Sequence, residues 1–456
     1  MRRLGAVLVA AGAASACLSS AELSGGVDGA RDGGAAETGG GVDAGGTVPT
    51  DDASGATCAA DLQSDIGNCG ACGRVCPNRV NAYGVCNGGA CEIACNTAFA
   101  DCDGKAETGC EVSLDNDTNH CGACGRSCAG GACRGGVCQP RTIATLQGSF
   151  SGLAVDGDDL YVSLYTNPTY SIVRMSTEGA GIRDLATGLT RSPGSLAVDA
   201  THVYFTRTYT SVAASDGAVF RVPRSGNGEA TSLATGELLN VGKVRVDGRY
   251  AYYAIASRRV SAQEVVPGKL RRVPIDGSDE ASDVMDVAHS TTDFVLDGPN
   301  VYATCAGDSI AATPPATGSS VVGRGVFRCA AAGCGATPTK LLTPESLYFY
   351  NATANASSIF LAGGVIGKLA KASGEYAFFS PLRFGNPSAI AADEARVYWL
   401  DGYDLYTVFS CPITGCAGAP DEILLPGYGS TLILTKDAIY VASSVSSTSI
   451  IQRIAR

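Results

Sequence analysis

Leu153–Ser163 reads LAVDGDDLYVS: a short apolar run, a turn built from acids and glycine, then a second apolar run that carries a tyrosine. Short apolar runs broken by Gly and Asp are the sequence form of a β-hairpin. The phrase returns as LAVDATHVYFT at Leu196–Thr206, VRVDGRYAYYA at Val244–Ala254 and FVLDGPNVYAT at Phe294–Thr304. Three looser copies follow: ATANASSIFLA from Ala352, IAADEARVYWL from Ile390 and LILTKDAIYVA from Leu432. The turn positions Asp156, Asp199, Asp247, Asp297, Asn355, Asp393 and Thr435 recur at roughly forty to sixty residues, the length of a unit that supplies one small sheet.

Each copy runs on into a second hairpin, as in VFRVPRSGNGEATSLATG from Val219, so the unit is four antiparallel strands. Seven such units predict a mainly β protein with a seven-bladed β-propeller over residues 141–456; six or eight blades are the alternatives, because the fifth copy is weak. The last copy runs out at SIIQRIAR, one strand short, while RTIATLQG from Arg141 resembles RDLATGL and TSLATGE. Strand 141–148 is therefore expected to complete the last blade beside Ile450–Ile454 and remove an exposed sheet edge. In the turns, the Asp carboxylate is read as bonding its own backbone N–H groups, with calcium at one blade as the alternative. Tyr161, Tyr204, Tyr252, Tyr302, Phe360, Tyr398 and Tyr440 are read as sheet packing.

Upstream, fourteen of the twenty cysteines lie between Cys58 and Cys138, and they repeat. Cys58, Cys69, Cys72 and Cys76 match Cys110, Cys121, Cys124 and Cys128 in spacing; Leu62 matches Leu114 and Asp65 matches Asp117. Each copy ends in a glycine-containing C-x4-C, Cys86 to Cys91 and Cys133 to Cys138, with Cys95 and Cys102 extra in the first. C-x2-C spacing also suits zinc, but the even count, the single histidine in the block (His120) and an export signal favour disulfides, with the pairing left open. A segment with so few large apolar residues has no core, so cross-links must restrict its unfolded state instead. The pattern D-x-x-N-C-G-x-C-G-x-x-C resembles the cysteine-rich repeats of myxobacterial surface lipoproteins and, more distantly, plant stigma-specific secreted domains. That resemblance covers residues 58–138 and implies a surface spacer or interaction module. Asp101, Asp103, Glu107 and Glu111 superficially suggest a calcium loop, but the EF-hand spacing is absent and a solvated turn is expected. Cys329 with Cys334, and Cys411 with Cys416, flank turns and are expected to be disulfide staples; Cys305 is left over as a small buried residue.

The first sixteen residues, a basic start followed by LGAVLVAAGAASA, form a signal peptide too short to span a bilayer. Cys17 follows at once, and ASAC resembles a bacterial lipobox, which implies cleavage before Cys17 and acylation of its thiol. By the same analogy Leu18, in place of Asp, favours the outer membrane; simple secretion is the alternative. Residues 17–57 are rich in Gly, Ala and Asp without periodicity and read as a disordered tether.

A net charge of −11 and a pI near 4.8 exclude a nucleic-acid surface, and leave the lipid as the only route to a membrane. The three histidines, His120, His202 and His289, stand in unrelated contexts, and His202 reads as a solvent-exposed turn residue. No nucleophile elbow, zinc-protease helix motif or phosphate loop is present, so no catalytic, cofactor-binding or metal residues are assigned and no cofactor is expected. The function expected is a monomeric, noncatalytic surface lipoprotein whose propeller binds a cell-surface protein or carbohydrate. An exported propeller enzyme of lyase or hydrolase type, or a structural envelope component, is the alternative.

Overall fold

The computed structural model describes residues 61–456, apart from 208–216, 227, 238–240, 260–264, 267, 287–290, 306–307, 312–318, 323, 343–347, 381–386, 402–406, 417 and 426. The signal segment, Cys17, the tether and Cys58 lie outside the described residues. No helix among the described residues is long and apolar enough to cross a membrane.

Seven four-stranded antiparallel sheets follow one another along the chain. Blade 1 spans residues 149–189, blade 2 193–237, blade 3 241–286, blade 4 291–342, blade 5 349–378 and blade 6 389–424. Blade 7 takes three strands from residues 428–455, and its outermost strand is Arg141–Gln147, paired antiparallel with Thr448–Ala455. First strands of neighbouring blades touch all the way round, blade 7 returning to blade 1, so the fold is a closed seven-bladed propeller with the first strands lining its channel. Closure demands a glycine: a Cβ at Gly179 (φ +84°) in blade 1 would sit 1.9 Å from the carbonyl oxygen of Ile143 in the closing strand.

Alternation along each second strand explains why seven sheets make one ring. Successive side chains point to opposite faces, and both faces are covered by neighbouring blades. Leu160 and Val162 enter the core shared with blade 7, whereas Tyr161 between them enters the core shared with blade 2. The same division places Tyr204, Tyr252, Tyr302, Phe360, Tyr398 and Tyr440 against the next blade in every case. There is no single core but seven, one per blade junction.

Polar contacts repeat across the junctions as well. The cation in the third strand donates to a backbone carbonyl of the next blade: Arg174 to Arg224 O at 3.3 Å, Arg272 to Ala331 O at 2.8 Å, Lys368 to Ile413 O at 3.1 Å, and likewise Arg221 to Ile275 O. Where a second cation follows, it reaches back to the previous blade's turn acid, as Lys371 to Asp297 at 2.8 Å and Arg456 to Asp393. Arg224 does the same to Asp156 and also donates to the Tyr161 hydroxyl at 2.6 Å.

The turn acids act as turn fasteners. Asp199 Oδ1 accepts the N–H groups of Thr201 and His202, and its Oδ2 accepts the Tyr204 hydroxyl at 2.6 Å. Burial pushes the Asp199 carboxyl up, but the Tyr204 hydroxyl and these N–H groups outweigh it and hold it below its usual value. Asp247 repeats the arrangement with Arg249, Tyr250 and the Tyr252 hydroxyl. His202 differs from its expected place: it begins the second strand of blade 2 and is half-buried, because the ring packs beside Tyr204 and its Nδ1 meets Thr201 Oγ1 at 2.8 Å. Burial, with Arg221 nearby, lowers its pKa.

The cysteine module has paired hairpins and no large core. Cys69–Cys86 and Cys76–Cys91 in the first copy match Cys121–Cys133 and Cys128–Cys138 in the second, while Cys95–Cys110 and Cys102–Cys124 tie the copies together. Cys72 is also disulfide-bonded. The recurrent glycines answer a steric need: a Cβ on Gly70 would lie 2.3 Å from Gly89 O, and one on Gly122 2.5 Å from Gly136 O. Within the propeller, Cys329–Cys334 and Cys411–Cys416 are bonded, and Cys334 N–H donates to Val284 O of blade 3 at 2.9 Å. Cys305 is buried in the second strand of blade 4.

Candidate functional site: the polar mouth of the channel

In an up-and-down blade, the turns from first to second strand and from third to fourth share one end of the ring, and the other connections share the opposite end. At the turn end the channel wall is apolar, with Val155, Val198, Val246 and Leu296 around a cavity of about 340 Å³. Toward the opposite end it becomes polar: Ser195, Lys243, Arg245, Asp293, Asn351, Ser388 and Thr431 line a cavity of about 190 Å³.

Local backbone irregularity makes this polar ring. In blades 1–5 and 7 the register between first and second strands shifts just before the apolar run, for example between Val241 and Val244 and between Thr291 and Asp293. A bulge re-aims the side chain beside it. Ser195, Lys243, Asp293, Asn351 and Thr431 occupy the same repeat position in five blades, and Gly152 and Ala389 occupy it in the other two. A search for recurring acids or histidines misses this set, because the shared property is polarity on one bulged position rather than one residue type. The signal was nonetheless present, in the residue immediately before each repeated phrase.

Asp293 is buried, 3% exposed, and its oxygens are committed. Oδ1 accepts Arg245 Nη2 at 3.0 Å and the Phe294 N–H at 2.8 Å, and Oδ2 accepts the Ala352 N–H of blade 5 at 3.1 Å. Arg245 also donates its Nε–H to Phe294 O at 2.6 Å. The pair is a fixed strut between blades 3, 4 and 5, and Asp293 is a positioning residue for Arg245. Lys243 is exposed and has no acid within pairing distance among the described residues. Ser388 Oγ is buried without a hydrogen-bond partner among the described residues, whereas Ser195 Oγ accepts the Val244 N–H at 3.2 Å and Asn351 Nδ2 donates to Pro387 O at 3.1 Å. The mouth thus carries an excess of one positive charge in an acidic chain and offers donors at several heights.

The same end of the ring bears surface features. Tyr348 and Tyr350, each 38% exposed, hold parallel rings 6.3 Å apart, and Arg324 lies over Tyr348 at 3.6 Å. Blades 3 and 4 each extend a two-stranded hairpin from this end, Arg258–Arg259 with Val265–Val266 and Asp308–Ala311 with Ser319–Val322.

None of the residues singled out for chemistry converges here. His120 accepts the Gly125 N–H in the cysteine module, His202 belongs to the turn end, and His289 lies outside the described residues. Asp101, Asp103 and Glu111 bring carboxylate oxygens within 4.8 Å of one another, but they are occupied by the N–H groups of Gly104, Lys105 and Cys102.

No family model matches the chain, and no curated protein matches it. Among solved structures, it is similar to the WD40 beta-propeller domain of Doa1, with 13% identity over 69% of this chain and 96% of that one at a TM-score of 0.48. Virginiamycin B lyase from Staphylococcus aureus gives 13% identity, 70% and 98% coverage and a TM-score of 0.49. BamB from Moraxella catarrhalis gives 10% identity, 69% and 100% coverage and a TM-score of 0.42. Such likenesses bring no activity or ligand to this chain; its blade number follows from its own strand pairing.

Proposed function

We propose that this is an exported, noncatalytic binding protein, acylated on Cys17 at the outer membrane, whose propeller binds a cell-surface carbohydrate at the polar mouth. The carrying observation is the layout of the ring. The second cysteine repeat packs on Ala455 and among Ile439 and Ile454 at the turn end, while the mouth with Lys243, which has no acid partner among the described residues, opens at the other. A chain held through the cysteine module thereby turns its mouth away from the point of attachment. The dense disulfides belong to an oxidising, exported setting. Sugar rings present apolar C–H faces and a rim of hydroxyls, which suits the parallel Tyr348 and Tyr350 at the same end of the ring as a small pocket of amide, hydroxyl and amine groups.

The test is a glycan array probed with the full chain beside Lys243→Ala and Tyr350→Ala. Retention of particular glycans by the wild type and their loss in both variants is expected. Equal retention by all three sinks the site. Palmitate labelling of the wild type against Cys17→Ala tests the anchor separately.

A further inference from the structure

A second cleft, of about 330 Å³, lies at the turn end between the second cysteine repeat and blades 6 and 7. Val137, Ile439 and Ile454 make its apolar side, and Arg126, Arg396, Arg456 and Asp421 its polar side, with the Asp421 carboxylate taken up by Arg396. Two of these guanidiniums are occupied. Arg396 donates to Ser410 Oγ at 2.8 Å and pairs with Asp421; Arg456 donates to Thr435 O at 2.8 Å and pairs with Asp393. Arg126 has no acid partner among the described residues and holds only long contacts, 3.4 Å to Cys121 O and 3.5 Å to Gly136 O. Tyr398 shares the cleft, and its hydroxyl has no hydrogen-bond partner among the described residues, whereas the matching hydroxyls of Tyr161, Tyr204 and Tyr252 are all bonded. Arg456 Nε is buried without an acceptor.

A half-buried guanidinium with no acid partner among the described residues carries a desolvation cost that an anionic acceptor removes, and the Tyr398 hydroxyl is a second available donor beside it. We propose that this cleft binds a small organic carboxylate, its oxygens held by Arg126 and the Tyr398 hydroxyl and its carbon body by Val137, Ile439 and Ile454. The apolar wall selects an organic anion over bare sulfate or phosphate, which would gain nothing from it. Because one wall belongs to the cysteine repeat and the other to the propeller, the ligand also clamps the two together. Burial raises the Tyr398 pKa despite the opposing Arg396 and Arg126, so its hydroxyl stays a donor at neutral pH.

Calorimetric titration of the full chain with benzoate and with glucuronate tests this. One-to-one binding of at least one of them is expected, weakened at least about tenfold in Arg126→Gln, which keeps a donor for the two carbonyls. Arg74→Gln, the matching change in the exposed first repeat, and Lys243→Ala at the channel mouth should leave it unchanged. The proposal is overturned by no binding up to about 10 mM, a level at which even weak sites register. It is overturned equally by undiminished binding in Arg126→Gln, by sulfate binding as tightly as the carboxylates, or by loss in Lys243→Ala instead.

Discussion

The cysteine module and the propeller solve the same problem by opposite means. The module exposes apolar side chains, among them Ile66 at 47%, Val75 at 66% and Tyr83 at 51%, and buries mainly its own sulfur. The propeller buries Tyr161, Tyr204, Tyr252, Phe294 and Trp399 almost completely, in seven clusters each shared by two blades. Cross-links act chiefly on the unfolded chain, whereas blade junctions act on the folded one. The two regions should therefore fail under different insults, and the second repeat, which belongs to both, should feel each of them.

The largest contrast is expected from truncation. Tyr204→Ala should cost the propeller about 3–5 kcal/mol by leaving a cavity between blades 2 and 3. Ile66→Ala, on the module's surface, should change stability by less than about 0.5 kcal/mol. Urea unfolding followed by the fluorescence of Trp399, the only tryptophan, reads the first directly. Comparable losses from the two variants would refute the division.

Disulfide removal sharpens the same line. Replacing Cys76 and Cys91 by Ser should loosen the first repeat, seen as faster proteolysis there, without moving the Trp399 transition. The matching Cys128 and Cys138 pair adjoins Ala455 of blade 7, and its loss should lower propeller stability by about 2 kcal/mol or more. Identical behaviour of the two pairs would mean that docking contributes nothing.

A single docking residue gives a smaller step. Val137 packs among residues of blades 6 and 7, whereas Ala90, its counterpart in the first repeat, is exposed. Val137→Asp should cost about 1–3 kcal/mol, and Ala90→Asp close to nothing.

The smallest effect is acid sensitivity. Asp199 and Asp159 have carboxyls held below their usual values: burial raises both, but hydrogen bonds, from Tyr204 to Asp199 and from Arg174 and Arg224 to Asp159, prevail. A depressed folded pKa adds stability that is full above the unfolded value of about 3.9 and is lost as pH falls through the folded one. The propeller midpoint should thus drop below about pH 4, and less steeply in Asp199→Asn. The first repeat has Asp61 and Asp65 similarly lowered by Ser64 and Asn68, yet Asp61 is exposed and Asp65 only half-buried with all its bonds local, so its proteolysis rate should barely change over that range.

Much of the fold was legible because repetition multiplies a weak signal. One LAVDGDDLYVS is an ambiguous hairpin; seven in series, five with a turn acid and all with an aromatic at the same place, are blades. The repeated CGACGR phrase was legible for a comparable reason, since its glycines answer a close approach that recurs at Gly70 and Gly122. The polar mouth was not legible in this way. Ser195, Lys243, Asp293, Asn351 and Thr431 share no chemistry that a motif search would join, and they meet only because bulged strands from separate blades converge on one axis.

Local properties were therefore settled by the sequence itself: strand period, turn chemistry, the repeated four-stranded unit and the need for cross-links where apolar residues are scarce; that the units number seven rather than six or eight was fixed by the strand pairing. The local properties depend on neighbours in the chain, and each is written many times over. Disulfide partners, the half-burial of His202, the Arg245–Asp293 strut and the cleft that brings Arg126 beside Tyr398 were decided by tertiary structure alone. Each depends on which distant segments the closed ring brings within a few ångströms, and closure is a property of all seven blades at once.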